Sequence, residues 1–439
     1  MHNFKILDKT TVQEISKIKN EPEWMLEYRL KALETHKKQK MPDYGPSLNA
    51  LDLKNIVFYK SPDILKKTSW EEVPQEIKKE FDRLGLPEAE KKFLAGVEAQ
   101  VNSEAIYGNL KAGLKEQGII FTNIEEGLRK HPELFKEYFG KLVKPTDNKF
   151  AALNSAVWSG GSFLYVPKNV RVELPLQAYF QIGRINLGQF ERTLIIADEG
   201  SYIHYIEGCT APMYSRDVVH AGVAEVFVKP GASVRYTTIQ NWSKNVYNIG
   251  TKKSQVEERG KMVWVDGNLG SKVTIKYPSC YLVGEGAHGE MLSIAYTKEG
   301  QEISVGARMI HKAPQTTSKV ISKSIANQNG NTAYRGQLRI EKGAENSRAF
   351  IKCDSLVLDS KASSNSYPKI EVLESSANVE HEASANKVEE KRLRYLQSRG
   401  FTEPEAMDLL IKGFMEPVMQ QIPVEYALEF NTLMEGEIK

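Results

Sequence analysis

Over residues 1 to about 40, apolar residues recur at helical spacing: Val12, Ile15 and Ile18, then Trp24, Met25, Tyr28, Leu30 and Leu33, set among Lys and Glu. The pattern predicts an amphipathic helical pair broken near Pro22. The polar, proline-bearing stretch KKQKMPDYGPSLNALDLKN reads as a linker or extended arm. Helical patterning resumes from Pro74 to Leu84 and again from Pro87 to Asn102, with Gly-Leu-Pro between them as a stop-and-start signal. Beyond about Asn148 that periodicity gives way to short runs of Val, Ile, Tyr and Thr separated by Gly, Ser, Asn and Asp. RTLIIADEGSYIHYIEG, AEVFVKPGASVRYTTIQ, KMVWVDGNLGSKVTIKYP and SRAFIKCDSLVLDSKASS read as strands of one large β body.

Small-residue corners recur among these runs, at Gly200-Ser201, Gly231-Ala232, Gly270-Ser271, Gly286-Ala287, Gly306-Ala307 and Gly343-Ala344. Taken as one turn per short, irregular repeat from Gly270 onward, they suit a parallel β-solenoid in which each coil covers the next. A β-sandwich is the alternative. After Lys387 helical spacing returns. Leu393 and Leu396 lead to Gly400 as a stop, Thr402 with Glu405 forms a capping box, and Met407, Leu410, Phe414 and Met415 follow. A final helix is predicted over Val424 to Met434.

Composition narrows the function classes. The chain has 439 residues, 59 Lys and Arg against 56 Asp and Glu, and 41% hydrophobic residues. A near-balanced charge argues against a nucleic-acid-coating protein, and the apolar share suffices for a large core. No secretory h-region and no run of 18 apolar residues is present. The expectation is a cytoplasmic protein with no membrane contact. The three cysteines, Cys209, Cys280 and Cys353, are an odd number with no CxxC spacing, which argues against a disulfide framework or a self-contained metal site.

No P-loop, no GxGxxG after a strand, no GxSxG and no HExxH occurs, so no nucleotide is expected on this chain. The eight histidines are scattered. Glu380, His381 and Glu382 form the densest local cluster. On a strand the two carboxylates share one face, where they could hold a metal, do acid/base work or sit as solvated surface. Cys353 shares its face with Ile351 and Ser355 and reads as a buried thiol. Cys209, in Gly-Cys-Thr-Ala-Pro, is expected in a turn after a strand, where it is reachable. Cys280, at the head of Cys-Tyr-Leu-Val, reads as structural.

Longer motifs carry a resemblance. EPEWMLEYRLKAL (21–33), VWSGGSFLYVPKNV (157–170), GQFERTLIIADEGSYIHYIEGCTAP (188–212), QNW (240–242), KYPSC (276–280), MIHKAPQTTSKVISK (309–323), YRGQLRI (334–340), CDSL (353–356), VEHEA (379–383) and the tail with QQIPVEYALE resemble the SufB/SufD family of iron–sulfur cluster assembly proteins, and within it the SufB scaffolds. The resemblance implies a right-handed parallel β-helix at 148–386, between an N-terminal helical domain with linker at 1–147 and a C-terminal helical domain at 387–439. It implies an assembly scaffold and not an enzyme, with ATP hydrolysis supplied by a partner ATPase, SufC, docking on the C-terminal helices. The further partners implied are a SufD paralogue or a second copy of this chain, a sulfur-donor system and recipient apoproteins, with a reduced flavin in the complex left open.

By motif, Cys353 and Glu382 are the implied cluster-assembly and partial metal-ligand residues, with Glu380 and His381 beside them. A thiolate is the soft ligand that clusters need and a carboxylate suits iron before sulfide arrives; one of each cannot close a coordination shell, so a partner would complete it. Cys209 is the implied persulfide acceptor, and Gln240, Trp242 and Lys252 the implied sulfur path. ATP-driven opening, in which SufC pulls on the C-terminal helices and alters the exposure of Cys353, is the implied mechanism. Two departures stand out: there is no cysteine before Cys209, so the N-terminal CxxCxxxC motif of some members is absent, and Pro417 should kink or split a helix at the docking surface. Competing readings are a SufD-like structural subunit without its own assembly site, and a polysaccharide-active solenoid using Glu380 and Glu382.

Overall fold

The computed structural model describes residues 3–60, 94–101, 104–182, 187–211, 217–388 and 390–420. The helices expected over 74–84 and 424–434, and the start of the one over 87–102, lie outside those residues. The remainder of that last stretch is not helical. Gly96–Val101 is a strand, paired in parallel with Leu176–Gln181 and antiparallel with Glu104–Leu110, and Val97 and Ala99 are buried in it.

Seven strands of ten residues each form the body of one parallel sheet: Tyr202–Ala211, Ser233–Trp242, Lys261–Gly270, His288–Thr297, Thr317–Ala326, Arg348–Val357 and Asn378–Lys387. A second sheet runs beside it, and the chain passes back and forth between the two, its second-sheet stretch in some coils split into two short strands such as Val273–Lys276 and Ser279–Leu282. The result is a β-solenoid of about seven turns flanked by helices at both ends. The expected solenoid is the observed fold. The sandwich falls, because every pairing along the body is parallel while sandwiches are antiparallel.

The repeat is longer than the spacing of small-residue corners. Lys261 pairs with His288 and Thr317 with Arg348, so one coil takes in more than one corner. Gly231 and Gly286 lie on one corner of the coil, just before first-sheet strands, and Gly270 lies on another, at the end of a first-sheet strand, while Gly306 falls between two short strands of the second sheet, Glu302–Val305 and Arg308–His311. At the first corner Asn169, Gly200, Gly231, Arg259, Gly286, Gln315 and Asn346 all have positive φ. From Asn169 to Gln315, each donates its N–H to a carbonyl of the next coil over 2.7–3.0 Å. The stacked turn imposes the left-handed conformation even on Arg259 and Gln315, which have no intrinsic preference for it. At the second corner only glycine fits, since a Cβ on Gly270 would lie 1.6 Å from the Trp242 carbonyl oxygen.

Helices cover the outer faces. Lys9–Ile18, Glu23–Lys38 and Lys149–Val157 pack Val12, Ile15, Leu33, Phe150 and Leu153 onto Tyr247, Ile249, Val273 and Ile275 of the second sheet. Pro22 separates the first two helices, as its position predicts. At the other end Glu403–Met419 starts on the predicted Thr402–Glu405 capping box. It packs Ile411, Met415 and Val418 onto Ile206, Ile239, Leu292, Ile294 and Leu356 of the first sheet. Each such side chain contributes roughly 1.5–3 kcal/mol on burial, so packing and not intrinsic propensity holds the helix in place. This helix runs unbroken past Pro417, contrary to the expected split. The proline removes one bond of the ladder, but only two helical residues follow it, so a bend there displaces little. Among the described residues no helix is long and apolar enough to cross a membrane.

Candidate functional site

Side chains alternate across a strand, so each solenoid strand sends every second residue inward. Stacking in register then lines those residues into rows along the axis. One inner row reads Cys209, Gln240, Asn268, Ala295, Ser324, Ser355. Its neighbour, on the next inward position of each strand, reads Glu207, Thr238, Asp266, Ser293, Ser322, Cys353. All of these residues are buried. The second row is polar on every strand and ends at Cys353. With five strand spacings between them, the two thiols are roughly 24 Å apart along the axis.

Around Cys209 the interior is charged and paired. Lys252 Nζ donates to Glu207 Oε1 at 2.8 Å and to Thr238 Oγ1 at 2.7 Å, and Tyr236 donates to the other Glu207 oxygen. Lys276 Nζ bridges Asp266 Oδ1 at 2.7 Å and Gln240 Oε1 at 2.8 Å. Asn248 donates to Gln240 at 2.8 Å and meets His220, which also bonds Glu191 and lies with its ring 4.7 Å from that of Trp242. Burial opposes ionisation of Glu207, yet the Lys252 charge and the two donors hold its carboxyl below the ordinary value. Burial, reinforced by Glu207 and Glu191, pushes the Cys209 thiol well up. Gln240, Trp242 and Lys252, expected along one path with Cys209, are thus brought together in one interior network. Cys209 itself is not in a turn. Its strand continues to Ala211, and the thiol-bearing residue is 2% exposed.

Cys353 has different surroundings. It lines a cavity of about 140 Å³ with Ser322, Ser324, Tyr334, Ser366 and Ala383. Here most of the polar groups are hydroxyls, with Asp354 and Asn365 beside them: Thr332 donates to Ser364 at 2.9 Å, and Ser324 lies 3.4 Å from Ser364. Burial pushes the Cys353 thiol up to about 12, with the Tyr334 hydroxyl beside it working in the opposite direction. Cys280 is also buried, 3.3 Å from Ser254 Oγ, and is raised to about 11.

Glu380, His381 and Glu382 stand on the last strand, Asn378–Lys387, as the parity argument requires: His381 pairs with Ile351 on the inner side, and Glu382 pairs with Lys352 on the outer. Glu382 accepts a hydrogen bond from Lys352 Nζ at 2.9 Å and remains 58% exposed. Cys353 and Glu382 therefore lie on opposite faces of the sheet within one chain, because the register partner of Cys353 is Ala383. His381 is half-buried, and its Nε2 has no hydrogen-bond partner among the described residues. Also among those residues, no group of three or more His, Cys, Asp or Glu side chains is placed to hold a metal ion.

Glu207, Asp266, Lys276, Ser293, Ser322 and Tyr334 belong to the interior and are not singled out by sequence reasoning. Their signal is the return of a polar residue to one strand position once per coil. The shorter corner spacing hides it.

Residues 9–178 match the family described as "SufBD protein N-terminal region", and residues 180–414 match "SUF system FeS cluster assembly, SufBD core domain". Among similar proteins are iron-sulfur cluster assembly SufBD family proteins of Staphylococcus epidermidis, Staphylococcus haemolyticus and Staphylococcus aureus. Each is 53% identical over 433 residues, which is 99% of this chain and 93% of the relative.

Proposed function

Because the chain belongs to the SufBD family of iron–sulfur cluster assembly proteins, we propose that it serves as the SufB-type scaffold, receiving persulfide sulfur at Cys209 and assembling a cluster at Cys353. The observation that carries this reading is the inner row that stays polar from Glu207, beside Cys209, to Cys353. Gln240 Nε2, Trp242 Nε1, Asn268 Oδ1 and Ser293 Oγ are buried along this track without a hydrogen-bond partner among the described residues. Buried polar groups are normally satisfied, so these are free to meet a polar guest.

At roughly 24 Å the two thiols cannot react directly, and sulfur crosses on a small carrier of the hydrosulfide class. Hydrosulfide attacks the outer sulfur of the Cys209 persulfide, forming hydrogen disulfide and releasing the Cys209 thiolate. The Cys353 thiol, losing its proton as it attacks, then takes that outer sulfur, and the proton leaves with the returned hydrosulfide as hydrogen sulfide. One S–S bond forms as one breaks at each exchange, with no net redox change. Iron and sulfide are the substrates of assembly. Cys353 supplies one soft ligand, and Glu382 acts from the outer face through a partner surface, a SufD paralogue or a second copy, that completes the shell. A SufC-type ATPase acts through the C-terminal helix, which packs on Leu356 of the Cys353 strand.

Anaerobic reconstitution of the complex with iron, sulfide and reductant should give a cluster chromophore, and Cys353→Ala should abolish both the chromophore and maturation in cells. Normal maturation by that variant would overturn the site. A SufD-like structural role is favoured by the burial of both thiols. Radiolabelled persulfide on Cys209 after incubation with a sulfur-donor desulfurase decides against it; absence of label decides for it.

A further inference from the structure

At one coil the polar track narrows to a single row. Ala295 replaces the polar residue in the first inner row. On the facing sheet, Ile303 stands between Thr274 and Thr332, and Val305 between Lys276 and Tyr334. Ala295, Ile303 and Val305 pack on one another as a separate cluster, none more than 2% exposed. On one side lie the charged pairs around Cys209, ending at Lys276 and Asp266. On the other lies the serine-lined cavity of Cys353. Within this coil the second row contributes Ser293, fully buried, with an Oγ that has no hydrogen-bond partner among the described residues.

The same strand is gripped from outside. Leu292 and Ile294, the neighbours of Ser293 that point outward, pack in one cluster with Ile411, Met415 and Val418 of the C-terminal helix. A strand in this position cannot shift its outer face without shifting its inner one, because successive side chains share one backbone.

We propose that the coil bearing Ala295, Ile303 and Val305 is an apolar diaphragm separating the Cys209 compartment from the Cys353 cavity, that Ser293 is its polar notch, and that the C-terminal helix sets whether it is shut. The sulfur-transfer significance of this device rests on the function proposed above; the separation of the two compartments does not. No bond is made or broken at the diaphragm. It decides whether a small polar species passes from one thiol to the other.

The test uses the full chain and methyl methanethiosulfonate as a small thiol probe, with each cysteine followed by mass spectrometry of its peptide. In the wild-type protein, Cys353 is modified well ahead of Cys209. Trimming the diaphragm by Ile303→Ala, or by the milder Val305→Ala should the first fail to fold, raises the rate at Cys209 roughly tenfold or more while Cys280 stays unchanged. Met415→Ala on the helix raises it in the same selective way. An unchanged Cys209 rate, or an equal rise at all three cysteines, overturns the diaphragm. A Met415→Ala protein labelled like the wild type overturns its control by the helix. Ser293→Val, which fills the notch, leaves radiolabelled sulfur loading onto Cys209 intact and cuts its arrival at Cys353; unimpeded arrival overturns the role of the notch. If label never reaches Cys353 in the wild-type complex, the proposed function fails, while the compartment result stands on the probe data alone.

Discussion

The compartments around Cys209 and Cys353 are built by the same two sheets with the same register, yet their polarity is neutralised in different ways. Near Cys209, buried charges are matched one to one, Lys252 with Glu207 and Lys276 with Asp266, and Glu191 is hydrogen-bonded to the His220 ring. Near Cys353 the lining is mostly hydroxyl and small apolar residues, with one carboxylate, Asp354, paired loosely with Lys323 at 3.6 Å, beside a terminal strand with no described partner on its far side. Matched charges tie one sheet to the other and demand exact partners, whereas hydroxyls rearrange at little cost. The first compartment is suited to hold a fixed shape. The second can admit a guest and a partner.

The largest test of this contrast is to break one pair. Lys276→Met should destabilise the protein by about 3–5 kcal/mol, because Asp266 is left as an unmatched buried charge. Ser322→Ala, at the Cys353 cavity, should cost about 1 kcal/mol or less, since a hydroxyl is lost and no partner is stranded. Denaturant unfolding compares the two directly. Similar losses would erase the distinction between the compartments.

The next effect is one of pH. Cys353 is held up to about 12 and Cys280 to about 11 by burial, whereas an unfolded cysteine ionises near about 8.5. Below that value both states keep the proton and the thiols leave stability independent of pH. From about pH 9 upward the unfolded chain releases a proton that the folded chain retains, so stability falls with a slope of up to about 1.4 kcal/mol per pH unit for each such thiol. Cys353→Ser should remove one thiol's share between about pH 9 and about pH 12, and its stability curve should run parallel to that of the wild type below about pH 8. Parallel curves throughout would mean that the Cys353 cavity is wetter than its burial indicates.

How much of this is legible in the sequence depends on the range of the interaction. The solenoid, the break at Pro22 and the Thr402–Glu405 cap are legible because each follows from neighbouring residues. The facing of Cys353, Ile351 and Ser355 onto one side follows from strand parity alone. Gly96–Val101 reads as helix because GVEAQV has no strong strand pattern of its own, and its parallel partner, Leu176–Gln181, lies far along the chain. The Thr-Ala-Pro after Cys209 suggests a turn, whereas pairing with Gln240 extends its strand. The rows themselves are properties of register between coils. Glu207, Asp266 and Ser293 acquire meaning only once the length of a coil is fixed by pairing.

The smallest expected effect falls on Glu382, and it sharpens the comparison most. Its carboxylate faces away from the Cys353 cavity and bonds Lys352 at the surface, where an ion pair adds little to stability because water and salt screen it. Glu382→Gln should therefore leave the thermal midpoint unchanged. It should equally leave the loading of Cys209 with persulfide unchanged, since the substituted side chain stands on the outer face of the last strand. If Glu382 serves cluster assembly, it does so across an interface, and the variant should lose cluster yield only in the assembled complex. A loss of thermal stability, or of Cys209 loading by the isolated chain, would instead place Glu382 in the intrinsic machinery of this subunit, and the proposed division between a sulfur-carrying interior and a partner-facing edge would no longer hold.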